Sequence, residues 1–336
     1  MPMCIAFRHN AIILALALAA GLLPFTSLGL TVENIEQIKI YAPPTTATLV
    51  QKIDASAWSP SSPDPAGIVY LDHLGTLLVS DSEVNEMDMF TGYNLFHVGL
   101  DGKLISTTTT IDSDGNGISD EPTGIAYNPS NQYDRPSLFM SDDTGPRTVY
   151  ELDSGPDKVF NTGDEIVSSY KLSELFNTPD FLGYDPEGLT YDVTRDALHI
   201  VDGAGDKIYS VEAVNGIFGD GDDQMTSFDT TALGVVDPEG IAYDPIFDLL
   251  YIIGRKSDNT VQQVDPTTGE LVGTIDISGA NVKSGAGLAF APSSDPNDDP
   301  SVMNLYVADR GVDNNTDPNE NDGMVYEFSF DDMWLV

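Results

Sequence analysis

The chain has 336 residues, 41% of them hydrophobic, with 54 acidic against 14 basic side chains and a formal charge of −40. This is a globular composition with enough apolar residues for a sizeable core. Its acidity repels nucleic acid and anionic lipid and attracts divalent cations. The single cysteine, Cys4, excludes a disulfide framework.

In chain order, the first feature is AIILALALAAGLLPFTSLGL, Ala11 to Leu30, uncharged and preceded by Arg8. The pattern predicts an export signal over residues 1–29, with Ser27 and Gly29 as the small residues before cleavage, and one domain over residues 30–336. Twenty uncharged residues also just reach the length of an uncleaved membrane anchor, a reading that Pro24, Thr26, Ser27 and Gly29 weaken. The expected location is outside the cytoplasm: periplasm, cell surface or medium.

After the strand-like stretches IEQIKIY and ATLVQKID, five segments share one grammar. They are DPAGIVY at Asp64, EPTGIAY at Glu121, DPEGLTY at Asp185, DPEGIAY at Asp237 and the diverged SGAGLAF at Ser284. Their shared glycines stand at 67, 124, 188, 240 and 287. A loop and a short apolar run follow each aromatic: TLLVSD, SLFMSD, ALHIVD, LLYIIG and NLYVAD. A third run alternates apolar and polar residues, as in RTVYELD and DKIYSVE, and a weaker fourth closes the unit, as in LVGTIDI.

Four short antiparallel strands per repeat predict an all-β fold, a β-propeller. Five blades follow from five first strands, and a sixth would have to lie in the N-terminal stretch, which lacks the glycine-aromatic signature. The last repeat stops at its third strand, VYEFSF, so ATLVQKID is expected to complete the last blade and close the ring.

Within DPxG, proline and glycine serve the turn or a close backbone approach. The residue between them is Ala66, Thr123, Glu187, Glu239 and Ala286, so the acid occurs only in adjacent repeats three and four. If first strands line the channel, Glu187 and Glu239 stand near one mouth. The aspartates ending second strands, Asp81, Asp142, Asp202 and Asp309, stand on the same side, as metal ligands or as turn-fixing acceptors. Clustered carboxylates need a shared proton or cation, and hard oxygen donors suit Ca²⁺ better than Zn²⁺.

A partial calcium loop is present in DSDGNGISDEPT, where Asp112, Asp114, Asn116 and Asp120 match ligand positions but Thr123 stands where a bidentate glutamate belongs. A solvated turn is the alternative. Arg255 and Arg310 follow second strands and could meet an anionic ligand at the channel mouth or pair with local acids. His97 and His199 lie in strand runs and read as structural. No nucleophile elbow, zinc-protease helix or phosphate loop occurs.

The recurrent D-P-E-G-[IL]-x-Y-D, L-x-[IV]-V-D and V-Y-x-[VL]-D pattern resembles the SdiA-regulated type of exported propeller and, more distantly, NHL-repeat propellers and β-propeller phytases. The resemblance covers the whole mature chain. It implies a five-bladed propeller carrying calcium, without established catalysis, and Glu187 and Glu239 are the positions that best match a metal site. Ala66 and Ala286 depart from the acidic pattern. The leading expectation is a monomeric calcium-binding propeller that binds a protein or small molecule. The alternative is a calcium-dependent hydrolase of phosphate esters or lactones at the channel mouth, for which few dispersed basic residues make a poor polyanion cradle.

Overall fold

The computed structural model describes residues 46–110, 118–144, 147–160, 165–171, 185–255, 259–312 and 319–330. The expected export or anchor segment lies outside them, as do Asp112, Asp114 and Asn116 of the partial calcium loop.

The described residues form five four-stranded antiparallel blades, a five-bladed β-propeller. Strand β1 (Ala47–Asp54) precedes the first whole blade, which is β2 (Pro65–Leu71), β3 (Thr76–Asp81), β4 (Leu95–Gly99) and β5 (Leu104–Thr108). The second blade is β6 (Pro122–Asn128), β7 (Ser137–Asp142), β8 (Thr148–Asp153) and β9 (Ile166–Lys171). The third is β10 (Pro186–Asp192), β11 (Ala197–Asp202), β12 (Lys207–Glu212) and β13 (Gln224–Asp229). The fourth is β14 (Pro238–Asp244), β15 (Leu249–Gly254), β16 (Thr260–Val264) and β17 (Leu271–Asp276).

Closure follows the sequence expectation. The fifth blade has β18 (Gly285–Pro292), β19 (Met303–Asp309) and β20 (Met324–Phe330), and β1 pairs antiparallel with β20 as its outer strand, Ala47 opposite Phe330 and Asp54 opposite Met324. A last blade without β1 would leave the backbone groups of β20 as an open edge.

Burial explains the sequence patterns. Second strands such as SLFMSD, ALHIVD and LLYIIG are buried at every position, because neighbouring blades cover both faces, so they read as continuous apolar runs. Outer strands such as β13 and β17 are mostly exposed, and their apolar content falls accordingly. Five apolar clusters fill the five spaces between blades; Phe139, Leu198 and Ile200 anchor one, and Tyr251, Leu305 and Phe328 another. Each fully buried Leu, Ile or Phe contributes roughly 1.5–3 kcal/mol.

The DPxG element is a bulge rather than a turn ahead of the strand. Proline opens the first strand in four blades, and the pairing of first with second strand shifts register at this point in all five. The glycine permits close approach. A Cβ on Gly124 would lie 2.5 Å from the carbonyl oxygen of Glu187, and one on Gly188 2.5 Å from that of Glu239. A Cβ on Gly240 would meet Ala286, one on Gly67 the backbone of the second blade, and one on Gly287 the carbonyl of Ala66. Each inner strand is thus pressed against the next around the closed ring, and only a residue without a side chain fits.

Candidate functional site

Three positions of the repeat converge at one mouth of the channel: the residue before the proline, the residue after it, and the residue following the second strand. In the fifth blade the last of these is Arg310, only 5% exposed. Its Nη2 donates to Oε2 of Glu187 at 3.0 Å and lies 3.4 Å from Oε2 of Glu239. Both glutamates are buried, as second residues of β10 and β14. The two carboxylates that the sequence singled out are therefore brought together, and their first partner is a guanidinium.

One cation cannot neutralise both. Burial first, and then the charge of Glu239, push the Glu187 carboxyl well above its usual range, with Arg310 opposing. Glu239 is raised by burial, against Arg310 and Arg255 and with Asp237 and Asp185 adding repulsion. Burial alone would lower Arg310, but Glu239, Glu187, Glu83 and Asp64 hold it charged, well above its ordinary value.

A second group adjoins this triad. Carboxylate oxygens of Asp143, Asp185 and Glu187 lie within 4.8 Å of one another. Asp143 follows β7 of the second blade, while Asp185 precedes β10 of the third. Both are raised by burial first; for Asp143 the charge of Asp185 follows, and for Asp185 the charge of Arg147 opposes before Asp237 adds repulsion. Glu121, beside Asp143, is pushed up to about 8 by burial, then by Asp143, Glu83 and Glu86. This mouth carries more negative charge than its arginines balance, and protons or a bound cation must make up the difference.

The donor set fits calcium. Three carboxylates from two adjacent blades present hard oxygens at close range, with no histidine or cysteine in the group. Glu187 belongs to both assemblies, so a cation held there would compete with Arg310 for the same carboxylate.

The second-strand aspartates have local work. Asp81 accepts from Ser62 Oγ at 2.6 Å and from the amides of Asp64 and Val84. Asp142 accepts from the amide and hydroxyl of Thr144. Asp202 accepts from the amide of Gly205, and Asp309 from the amides of Lys283, Ser284 and Gly311. These are the turn-fixing bonds that the sequence left as one of two roles. Asp120 accepts from Thr144 Oγ1 at 3.1 Å, beside Asp142. The Arg255 amide donates to the Asp237 carbonyl and the Arg310 amide to the Ser284 carbonyl, so the two arginines occupy equivalent places. His97 lies 2.5 Å from Thr76 Oγ1 and buried His199 lies 2.7 Å from Ser210 Oγ, each a contact between neighbouring strands of one blade.

Asp143, Asp185 and Glu121 did not emerge from the sequence as site residues. A signal existed: the first letter of the repeat is Asp64, Glu121, Asp185 and Asp237 in four of five cases, acidic more often than the third letter. The doubled aspartate of SLFMSDD marked Asp143 in the same way.

No protein-family model matches the chain, and no curated protein matches it. Among solved structures it is similar to regucalcin from Agrobacterium tumefaciens, titled a calcium-binding protein, at 12% identity and TM-score 0.49, covering 85% of this chain and 96% of that one. It is similar to Myxococcus xanthus glutaminyl cyclase at 14% identity and TM-score 0.48, over 85% and 97% of the two chains. The periplasmic gluconolactonase of Pseudomonas aeruginosa aligns at 14% identity and TM-score 0.42, over 77% and 83%. Likeness at this level says nothing about what this chain binds or converts.

Proposed function

We propose that this protein is an exported, calcium-stabilised propeller of the SdiA-regulated type, a monomer whose carboxylate-rich mouth binds a small molecule or protein segment. The observation that carries this reading is the convergence of Asp143, Asp185 and Glu187, oxygens within 4.8 Å, beside Arg310. When bound, Ca²⁺ would supply positive charge that joins the second blade to the third. Calcium takes six to eight oxygens, so three side chains leave room for a ligand's own oxygens at the mouth. The charge of −40 supports partners other than nucleic acid or anionic membrane.

A calcium-dependent hydrolase of phosphate esters or lactones is the second reading. It is favoured by Arg310 converging with both glutamates and by Glu121, which keeps its proton up to about pH 8 beside Asp143. Binding stands first because Arg310 is buried and already engaged by two carboxylates.

The deciding measurement is thermal unfolding of the full chain in chelator and in millimolar Ca²⁺. Saturation near one hundred times Kd predicts a rise of about 5 °C, and an unchanged Tm would remove calcium from the proposal. Release of product from phosphomonoesters or lactones, dependent on Ca²⁺ and lost in Glu121→Gln, would put the hydrolase first.

A further inference from the structure

The opposite mouth of the channel has different chemistry. The aromatic that ends each repeat segment, Tyr70, Tyr127, Tyr191, Tyr243 or Phe290, comes from the inner strand of each blade, and the five line a cavity of about 410 Å³. That volume lies within the range of small-molecule sites.

Three of the four tyrosine hydroxyls are hydrogen-bonded to neighbouring side chains. Tyr127 Oη lies 2.9 Å from Nδ1 of His73, Tyr191 donates to Asp196, and Tyr243 donates to Thr194 Oγ1 at 2.7 Å. Neighbouring rings brace them: His73 stacks on Tyr127 with centroids 5.6 Å apart, Phe139 on Tyr191 at 6.0 Å, and Tyr251 meets Phe290 edge-on at 4.8 Å. The cavity is therefore offered fixed ring surfaces rather than mobile polar tips.

Among the described residues, the charged side chains lining the cavity are Asp72 and Asp244, with no lysine, arginine or histidine. Asp244 is occupied by the amides of Ile246 and Phe247, while the Asp72 side chain, 61% exposed, stands at the rim with Nδ1 of His73 3.8 Å away. The nearby cation on this face, Arg195, is bound by Asp192 at 2.6 Å and by Asp248 at 2.6 and 2.8 Å. Aromatic faces with one carboxylate at the rim, and no lysine, arginine or histidine in the lining, favour a cation over an anion.

We propose that this cavity binds a small organic cation, with a hydrophobic body seated among the five rings and an ammonium group directed toward Asp72. The site is independent of calcium at the far mouth. Val193 and Ile246 line it at the entrance, 51% and 62% exposed, and an apolar body would cover them.

The test is a calorimetric titration of the full chain in chelator with three soluble probes of one aromatic body: benzyltrimethylammonium, phenylacetamide and phenylacetate. The cation is expected to bind roughly tenfold tighter than the amide, with the anion weakest. Ile246→Lys places an ammonium at the entrance without touching the core and should weaken the cation about tenfold or more. Val272→Lys adds the same charge on the outer strand β17, at a residue 49% exposed, and should leave affinity unchanged at an unchanged Tm. Equal affinity for cation and amide, indifference to Ile246→Lys, or no binding up to about 10 mM would overturn the proposal.

Discussion

The Arg310 guanidinium on the fifth blade donates to the Glu187 carboxylate on the third, at 3.0 Å and across 123 residues of sequence. Both side chains are buried, so the contact acts as a strut across the channel mouth rather than as a surface ion pair. Removing one partner of such a pair leaves the other charge buried and uncompensated.

Arg310→Met is therefore expected to cost about 3–5 kcal/mol, read from the denaturation midpoint in chelator. Combining it with Glu187→Gln and Glu239→Gln should restore much of that loss. A single variant as stable as wild type would show that the carboxyls already carry protons without it.

Calcium should be localised to the described cluster. Asp143→Asn and Glu187→Gln are each expected to abolish most of the calcium-dependent rise in Tm. Asp222→Asn, at an exposed member of the group Asp220, Asp222 and Asp223, should leave it intact. The reverse pattern would move the ion to that outer loop.

Glu121 makes a prediction about pH. Its carboxyl is raised to about 8 by burial and then by Asp143, Glu83 and Glu86, against 4.5 in the unfolded chain. A group raised on folding stabilises fully below its unfolded value and loses that contribution as pH climbs to the folded value. In chelator, Glu121→Gln should match wild type near pH 4.5 and exceed it in denaturation midpoint near pH 8. Parallel curves for the two proteins across this window would show that Glu121 does not hold the proton.

The inner ring should be intolerant of a single methyl. Gly188→Ala would place Cβ 2.5 Å from the Glu239 carbonyl, which belongs to an adjoining strand and cannot turn away. The expected loss exceeds about 4 kcal/mol, visible as reduced soluble yield or a midpoint shift. By contrast, Gly75→Ala, in an open turn with nothing within 4 Å and φ of 68°, should cost about 1 kcal/mol.

What the sequence disclosed was the part of the fold that recurs. Five glycines, five apolar second strands and the unclosed last repeat were enough to place ATLVQKID beside VYEFSF, because every blade needs the same strands and the last one lacked its own. The site is less legible for the same reason. It is made where blades differ: Asp143 stands where the first blade has Ser82 and the third Gly203, and Arg310 where they have no charge. Glu187 and Glu239 were visible as departures within a well-read column. Asp185 was hidden because an acid at that column looked like ordinary turn chemistry; Arg310 was legible as a residue of the mouth, but no spacing in a chain records which acids meet it across a ring.

The glycine ring also limits passage through the molecule. Inner strand β10 comes within 8 Å, Cα to Cα, of β2 and β18, which lie two blades away on either side. The channel is thus a waist, closed above by a buried arginine between two carboxylates and open below onto aromatic rings. The two ends present different chemistry on either side of a narrow ring of inner strands. An occupant of one could influence the other only by changing how tightly the five inner strands are drawn together.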